Sequence, residues 1–282
     1  MKILLTGSTG FVGASILKAY KDSIITAPSL RDLSEDQIRR IVQDSGAEAI
    51  IHTAAISQIP VCENNPEASY YANVQIPVFL ARAAGHIKLI CFSSDQVYSG
   101  SDDLGPYREE DAKPSNIYSV HKLEMEKRVL DICPDAVMLR AEWMYDYDCS
   151  RETYYSIVKN AARPLVFSSG QYRGMTWRKE VADAMAQVIH LPGGAYNFGS
   201  ETELSMYEIT REFIHYLGAE TFVTDGPPRH NLWMDCSKAA RAGIQFSTVI
   251  NGLKKCVEEE AGIPVSFPGV NTWNNGEIDI KP

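Results

Sequence analysis

Residues 2–13 read Lys-Ile-Leu-Leu-Thr-Gly-Ser-Thr-Gly-Phe-Val-Gly, so a short apolar run passes directly into a turn with three glycines. The apolar run predicts a buried strand, and the amphipathic pattern that follows, up to Tyr20, predicts a helix. In this context Gly7 permits a tight turn, Gly10 lets the backbone approach a pyrophosphate, and Gly13 lets helix and strand pack closely. The helix N-terminus adds free N–H groups and a positive dipole. The stretch therefore predicts a dinucleotide-binding turn, with a glycine-rich turn that binds nothing as the alternative.

Short apolar runs alternate with amphipathic ones over the first 145 residues. Ser34 and Gln37 have the spacing of a capping box, which predicts a helix from there to about Ser45. Strands separated by helices indicate βαβ units, so we predict an α/β fold with a Rossmann-type, doubly wound parallel sheet. The predicted strands are Lys2–Thr6, Ser23–Thr26, Ala49–Thr53, Ile87–Ser93 and Ala136–Arg140, and the longer predicted helices are Pro66–Ala84 and Asn116–Ile132.

The alternation loosens after Arg140, where aromatic residues crowd together. We predict a dinucleotide-binding domain over 1–145 and 178–200, and a smaller substrate lobe over 146–177 and 201–282. The patterns predict helices at Arg178–His190, Ser205–Leu217 and Ser247–Ala261, a strand near Ala195–Phe198, and a surface tail at Pro268–Pro282.

Charge and composition exclude several classes of function. The chain has 282 residues with 27 Lys+Arg against 36 Asp+Glu, and no basic run exceeds two residues, which argues against a nucleic-acid partner. No apolar stretch approaches the roughly 18 residues that a membrane-spanning helix needs. The six cysteines are far apart, without metal-ligand spacing, which favours a reducing cytoplasm and no bound metal.

The cofactor expectation depends on the end of the second strand. A carboxylate there would hold the ribose hydroxyls of NAD, but the sequence continues Thr26-Ala27-Pro28-Ser29. Arg31 beside Ser29 could instead hold a 2′-phosphate. We therefore favour NADP(H), with NAD(H) as the alternative.

A second set of residues predicts proton transfer. Tyr118 and Lys122 are four residues apart on one helical face, where the cation can lower the pKa of the phenol so that it exchanges a proton with a carbonyl oxygen. Ser93 and Ser94 end the fourth predicted strand and bring hydroxyls to the same edge of the sheet. Tyr155 and Lys159 have the same spacing, which we interpret as a chance match because no such hydroxyl accompanies them.

Several blocks of sequence, spread over nearly the whole chain, resemble an extended short-chain dehydrogenase/reductase, and most closely the dTDP-4-dehydrorhamnose reductase family. They are Gly7–Gly13, Asp32-Leu33, Ala54-Ala55, Glu63…Asn65-Pro66-Glu67…Asn73, Ser93–Gly100, Pro106-Tyr107-x-Glu109-x-Asp111, Tyr118-x3-Lys122-x3-Glu126, Arg140-x-x-Trp143 and Asp235-x-Ser237-Lys238.

The resemblance implies NAD(P)H-dependent reduction of a keto group on a sugar nucleotide. Ser94 would polarise the substrate carbonyl, Tyr118 would donate the proton, and Lys122 would tune Tyr118 and contact the ribose. Substrate contacts would come from Ser94, Tyr98 and Trp143. Besides Tyr118 and Lys122, the expected cofactor contacts are Gly7, Thr9, Gly10, Phe11, Val12, Gly13, Arg31, Asp32, Leu33, Ala54, Ala55 and Ser93. Homodimer formation is implied by the superfamily alone.

The chain departs from the family pattern in its substrate-facing half. Ser119 replaces a glycine, Val61-Cys62 replaces a Val-Asp step, and Gly170–Thr176 replaces Asp-Gln-x-Gly-x-Pro-Thr. Gln96 follows Asp95 where a 4,6-dehydratase has an acid/base pair, and an amide cannot abstract a proton, so dehydration is disfavoured.

Two other functions stay open. One is a sugar-nucleotide epimerase of the same superfamily. The other is a cofactor-binding regulatory subunit that resembles the β subunit of methionine adenosyltransferase.

Overall fold

The computed structural model describes residues 1–148, 151–227 and 229–265. Cys149 and the predicted tail Pro268–Pro282 lie outside the described residues. The strands are β1 Ile3–Thr6, β2 Ile24–Thr26, β3 Ala49–His52, β4 Lys88–Ser94, β5 Val137–Ala141, β6 Trp143–Tyr145, β7 Leu165–Phe167, β8 Met175–Trp177, β9 Gly194–Phe198 and β10 Val223–Asp225.

The α-helices connect and flank these strands. They are α1 Phe11–Ala19, α2 Glu35–Ser45, α3 Ile59–Asn64, α4 Pro66–Tyr70, α5 Ile76–Ala84, α6 Ile117–Ile132, α7 Tyr154–Lys159, α8 Arg178–Asp183, α9 Met185–Val188, α10 Met206–Leu217, α11 Ser237–Arg241 and α12 Val249–Glu260.

A six-stranded sheet, entirely parallel, forms the centre of the molecule in the order β2-β1-β3-β4-β5-β9. Its two faces are covered by separate apolar clusters, so strands such as β1 and β3 are buried on both sides. The predicted doubly wound α/β fold is confirmed. Because strand order reverses between β1 and β3, the crevice at their carboxyl ends is the expected place for a ligand.

A third apolar cluster is built almost entirely from the predicted substrate lobe. It includes Tyr154, Tyr155 and Phe213, and the short parallel pairs β6–β8 and β7–β10 lie beside it. This clustering supports a separate lobe, while the boundaries given above stay a prediction.

Most predicted elements are present to within about two residues, and the capping box is formed, with the Ser34 N–H donating to Gln37 Oε1 at 2.8 Å. The predictions of two long helices were wrong in detail. The segment Pro66–Ala84 is interrupted by a π-turn at Tyr71–Gln75, next to Pro77, which has no N–H to continue the regular ladder. The segment Arg178–His190 is interrupted at Ala184, where the Gln187 N–H bonds to the Ala184 carbonyl and tightens the turn.

The π-turn positions part of the crevice. Asn73 within it accepts a hydrogen bond from the Ile56 N–H at 3.1 Å and donates to the Ile56 carbonyl at 2.9 Å. Ile56 belongs to the loop after β3, so the irregular turn fixes that loop at the edge of the sheet.

A substitution of Gly13 tests how closely α1 packs on the turn after β1. A Cβ at this position would lie 2.1 Å from the Gly7 carbonyl oxygen, which is backbone and cannot move aside. We expect Gly13→Ala to lower the free energy of unfolding by about 1–3 kcal/mol through overpacking, measured by urea denaturation.

Gly46→Ala is a comparison with the opposite cause: Gly46 has φ +57° and no atom within 4 Å of the added Cβ, whereas Gly13 on α1 has no positive φ and a crowded Cβ position. It measures the cost of a left-handed backbone alone. A Gly13→Ala protein as stable as the wild type would show that the approach of α1 to the turn is not constrained.

Candidate active site

A cleft of about 340 Å³ opens at the carboxyl edge of the sheet, above the reversal between β1 and β3. It lies between the N-terminus of α1, the loop after β3, the end of β4 and the first turn of α6. The predicted site residues that line it are Gly10, Phe11, Val12, Gly13, Ala55, Ser93, Ser94, Tyr118, Lys122 and Trp143. Side chains from distant parts of the chain therefore meet in one place.

The glycine turn has the geometry of a phosphate cradle. Gly7 has φ +74°, and a Cβ on it would lie 2.7 Å from the Ala54 nitrogen. Gly10 begins α1 without any side-chain cap, so no capping side chain covers the helix N-terminus. A dinucleotide pyrophosphate fits such an uncapped helix start, because it would accept from the free N–H groups and meet the positive end of the dipole.

The remaining predicted cofactor residues surround this turn. Ala54 lies against Gly7, and Thr9 lines a neighbouring cavity of about 800 Å³ on the other side of α1. Arg31, Asp32 and Leu33 lie in the loop after β2, which ends at the same edge of the sheet as β1. Their place next to the turn fits the adenosine end of a dinucleotide.

The proton-donor candidate Tyr118 lies in the first turn of α6 and is 6% exposed. Burial raises its pKa well above the ordinary value, the nearby Ser94 hydroxyl lowers it, and the charge of Asp95 raises it. The phenol therefore keeps its proton at neutral pH.

Lys122 lies one turn further along α6 and is 2% exposed. Its Nζ donates to the Phe92 carbonyl at 2.7 Å and lies 5.9 Å from the centre of the Tyr118 ring. Burial lowers the pKa of Lys122 to about 8. Burial dominates the pKa of Tyr118 in this structure and raises it, so the lowering by Lys122 that the spacing predicts stays a prediction.

Ser94 ends β4 and begins a turn at Asp95–Tyr98. Its Oγ accepts from the Gln96 N–H at 3.2 Å and donates to Asp95 Oδ1 at 3.0 Å. The other carboxylate oxygen of Asp95 accepts from Arg173 at 2.8 Å. The hydroxyl that would polarise a carbonyl is thus held by a buried carboxylate until a ligand replaces that contact.

Tyr98 does not reach the cleft, so its predicted substrate contact is corrected. It is 0% exposed, its hydroxyl donates to Asn197 at 2.6 Å, and it accepts from Arg140 at 2.7 Å. The hydroxyl of Tyr98 thus donates one hydrogen bond and accepts another within the protein, and Tyr98 has a structural role.

A buried ion pair connects the helix that carries the site to the central sheet. Arg140 on β5 and Glu126 on α6 have side chains 4% and 3% exposed, with Nη2 and Oε2 2.7 Å apart. Ser93 on β4 donates to the same carboxylate. These contacts join α6, which carries Tyr118 and Lys122, to two central strands.

Sequence reasoning did not assign several residues of the cleft to the site, and three of them are charged residues near Trp143: Asp95, Glu142 and Arg173. The Arg173 guanidinium lies 5.2 Å from the ring of Trp143, which also lines the cleft. Arg173 stands in the segment that departs from the family pattern, and that departure was the available signal.

The departure at Ser119 has a local explanation. Its N–H donates to Asn116 Oδ1 at 2.9 Å, while its Oγ accepts from the Asn116 N–H at 3.1 Å. Ser119 therefore completes a capping box that begins α6 and fixes the turn that carries Tyr118.

Two features are missing within the described residues. No helix among them has the length and apolar character to cross a membrane. The same part of the chain has no cluster of three His, Cys, Asp or Glu side chains that could hold a metal ion.

The parallel sheet, the glycine turn and the clustered serine, tyrosine and lysine define an extended short-chain dehydrogenase/reductase. A family model described as RmlD substrate binding domain matches residues 1–257, and the chain belongs to this family.

Two kinds of protein are among the relatives of this chain. The chain is 28% identical over 233 residues to methionine adenosyltransferase 2 subunit beta of Danio rerio, covering 74% of this chain and 72% of that protein. It is 32% identical over 152 residues to dTDP-4-dehydrorhamnose reductase of Mycolicibacterium smegmatis, covering 51% and 46%.

Among solved structures, the fold is similar to dTDP-4-dehydrorhamnose reductase from Bacillus anthracis in complex with NADP. The TM-score is 0.78 at 20% identity, over 92% of this chain and 99% of that one. At this identity the similarity concerns the fold.

The buried ion pair leads to a stability prediction. We expect Glu126→Ala to lower the free energy of unfolding by about 3–5 kcal/mol, because it leaves the Arg140 guanidinium buried and unpaired. Urea denaturation measures the change.

Glu124→Ala is the control on the same helix. Glu124 pairs with Arg128 at 2.7 Å, but these side chains are 32% and 52% exposed, so we expect a loss of about 1 kcal/mol or less. Equal losses in the two variants would contradict the supporting role of the buried pair.

Proposed function

We propose that the chain is an NAD(P)H-dependent reductase of a sugar-nucleotide keto group, as the dTDP-4-dehydrorhamnose reductases are by name. The observation that carries the proposal is that Ser94, Tyr118 and the glycine turn face one cleft. A nicotinamide cofactor, when bound, supplies the hydride. Gly10–Gly13 would hold its pyrophosphate, and Lys122 would meet its ribose.

The residues of the chain then have distinct tasks. Tyr118, which is protonated at neutral pH, donates its proton to the carbonyl oxygen of the substrate. Ser94 releases Asp95 and donates a hydrogen bond to the same oxygen, which stabilises the charge that develops there. Trp143 offers an aromatic surface to the sugar.

A reductase needs its proton donor to be protonated before the reaction, and a tyrosine meets this condition at neutral pH. A phenol with a raised pKa carries its proton over the whole neutral range. The low exposure of Tyr118 and Lys122 also excludes water, which strengthens hydrogen bonds to the substrate oxygen.

We propose NADP(H) as the favoured cofactor and NAD(H) as the alternative. Arg31 is exposed in the loop after β2, and its neighbour Ser29 is exposed as well, so both are available to a 2′-phosphate. The Bacillus anthracis enzyme of similar fold is in complex with NADP, which supports the same choice.

The cellular setting is also a proposal. The described cysteines are free thiols, which supports a reducing cytoplasm. Homodimer formation and the absence of a nucleic-acid partner stay predictions from the sequence.

A regulatory subunit is the second candidate, and the relatives favour it. Methionine adenosyltransferase 2 subunit beta of Bos taurus is 28% identical over 279 residues, covering 86% of this chain and 83% of that protein. Against it stands the retention of Ser94, Tyr118 and Lys122 in one buried site, which cofactor binding alone does not need.

The proton donor is tested by Tyr118→Phe. We expect its kcat for NADPH oxidation with a dTDP-4-keto-6-deoxy sugar to fall about 10²- to 10⁴-fold, because the general acid is lost while the ring stays in place. Absorbance at the nicotinamide band follows the reaction.

Tyr155→Phe is the matched control for the proton donor. Tyr155 has a lysine four residues later, but its hydroxyl donates to Glu260 at 2.6 Å in another part of the molecule. Full turnover by Tyr118→Phe would contradict the proposed role of Tyr118 as proton donor. Cofactor binding by the wild type without any turnover would favour the regulatory subunit.

Cofactor choice is tested by Arg31→Ala. We expect the Kd for NADPH to rise about tenfold and the Kd for NADH to stay nearly constant, because only NADPH has the 2′-phosphate. Isothermal titration measures both, with Arg40→Ala on α2 as the exposed control. Equal weakening of both cofactors would show that Arg31 does not recognise the 2′-phosphate.

A further inference from the structure

Glu142 is a buried carboxyl group in the reaction cleft that the proposed mechanism does not use. It follows β5 directly, precedes Trp143, and is 6% exposed. It lines the same cleft as Ser94 and Tyr118. A side chain in this position would face a substrate bound in the cleft.

Two glycines form the slot that holds Glu142. A Cβ on Gly174 would lie 1.8 Å from Glu142 Oε1, and a Cβ on Gly199 would lie 2.1 Å from its Cδ. No other residue type leaves room for this carboxyl group, so its position is fixed from both sides.

The two oxygens of Glu142 have different surroundings. Oε2 accepts from the Thr176 hydroxyl at 2.9 Å and from the Ser200 N–H at 2.9 Å, which uses both of its lone pairs. No described residue makes a hydrogen bond to Oε1. A proton on this carboxyl group would therefore be on Oε1.

The charged surroundings of Glu142 favour that protonated form. The pKa of Glu142 is raised to about 8: burial and the charge of Asp95 raise it, while the hydrogen bonds to Oε2 and the charge of Arg173 lower it. The third titratable neighbour is the buried thiol of Cys236, whose own pKa is raised by burial and by Glu142. At neutral pH the slot thus presents an O–H group without an acceptor.

We propose that Glu142 determines substrate specificity by donating a hydrogen bond from Oε1 to a hydroxyl oxygen on a carbon next to the reacting carbonyl. The carbonyl oxygen itself is excluded as the acceptor, because Ser94 and Tyr118 already supply the two donors that its lone pairs can take. The site therefore selects an α-hydroxy ketone, as in a keto sugar, over a ketone without that hydroxyl. This inference rests on the proposed reductase function.

The expected discrimination follows from the cost of an unpaired buried donor. A ketone without the neighbouring hydroxyl leaves the Glu142 O–H unsatisfied, which corresponds to about 10- to 100-fold in kcat/KM. Most of the difference should be in KM, because the contact is the same in the ground state and the transition state.

The test compares dTDP-4-keto-6-deoxyglucose with its 3-deoxy analogue in three proteins. The wild type should prefer the hydroxylated sugar. Glu142→Gln should keep the preference, since the amide nitrogen can donate where Oε1 does, while its oxygen still accepts from Thr176 and Ser200. Glu142→Leu should lose it. A preference that survives in Glu142→Leu overturns the proposal.

A matched control separates recognition from structure. Glu180 is also buried at 7% exposure and accepts from a hydroxyl and an N–H, both of Ser247, but it does not line the cleft. Glu180→Gln should leave the preference unchanged. Thermal unfolding of every variant identifies any loss that comes from misfolding.

The dependence on pH gives a second readout. Above about pH 8, Glu142 ionises and can only accept a hydrogen bond from the sugar hydroxyl, so the preference of the wild type should change with pH, whereas that of Glu142→Gln should stay constant. Lys122 also titrates near pH 8, but it acts on both sugars equally and cancels in the ratio. A constant preference in the wild type would contradict the proposal.

Two measurements are independent of turnover. The infrared difference between wild type and Glu142→Gln at pH 7 should contain the C=O band of a protonated carboxylic acid, and a carboxylate band overturns the proposal. If the wild type reduces neither sugar, the proposed function fails. Isothermal titration of both sugars then tests the role of Glu142 separately. Equal affinities of the wild type for the sugar and its 3-deoxy analogue overturn that role.

Discussion

The ion pair between Arg140 and Glu126 is the contact on which the site depends. It crosses from β5 to α6 in a nearly dry environment, and Ser93 of β4 shares the carboxylate. A buried pair of this kind adds little stability compared with an apolar pair, but it is costly to break, so it specifies one arrangement. That arrangement sets the position of Lys122 and Tyr118, which lie about one and two turns before Glu126 on α6.

Burial shifts the pKa values of three side chains in the cleft in a common sense, towards their neutral forms. Burial raises the pKa of Tyr118 and Glu142 and lowers that of Lys122, so each group is shifted towards its neutral form. Asp95 in the same cleft forms an ion pair with Arg173. A ligand that enters this cleft meets hydrogen-bond donors more than charges, which suits the oxygen atoms of a ketone.

The sequence was sufficient for features whose cause is local. The glycine turn depends on a few neighbouring residues and on the close approach of Gly13 to Gly7, so its geometry could be predicted. The capping box at Ser34 has the same local origin. The parallel arrangement of the sheet followed from the alternation of strands with helices.

Features that depend on distant residues could not be predicted. Tyr98 matches a family motif, but its burial is decided by Arg140 and Asn197, which lie far along the chain. Glu142 was missed because its slot is made by residues 174–176 and 199–200. The spacing of Tyr118 and Lys122 gives their proximity but not the cost of burying them. That cost raises the pKa of Tyr118.

The reciprocal hydrogen bonds between Asn116 and Ser119 have an evolutionary consequence. Each residue satisfies a backbone N–H of the other, so the loss of one side chain leaves its partner with a broken cap. A change at one of these positions is therefore best tolerated together with a change at the other. In lineages that keep the helix start in this form, positions 116 and 119 should covary.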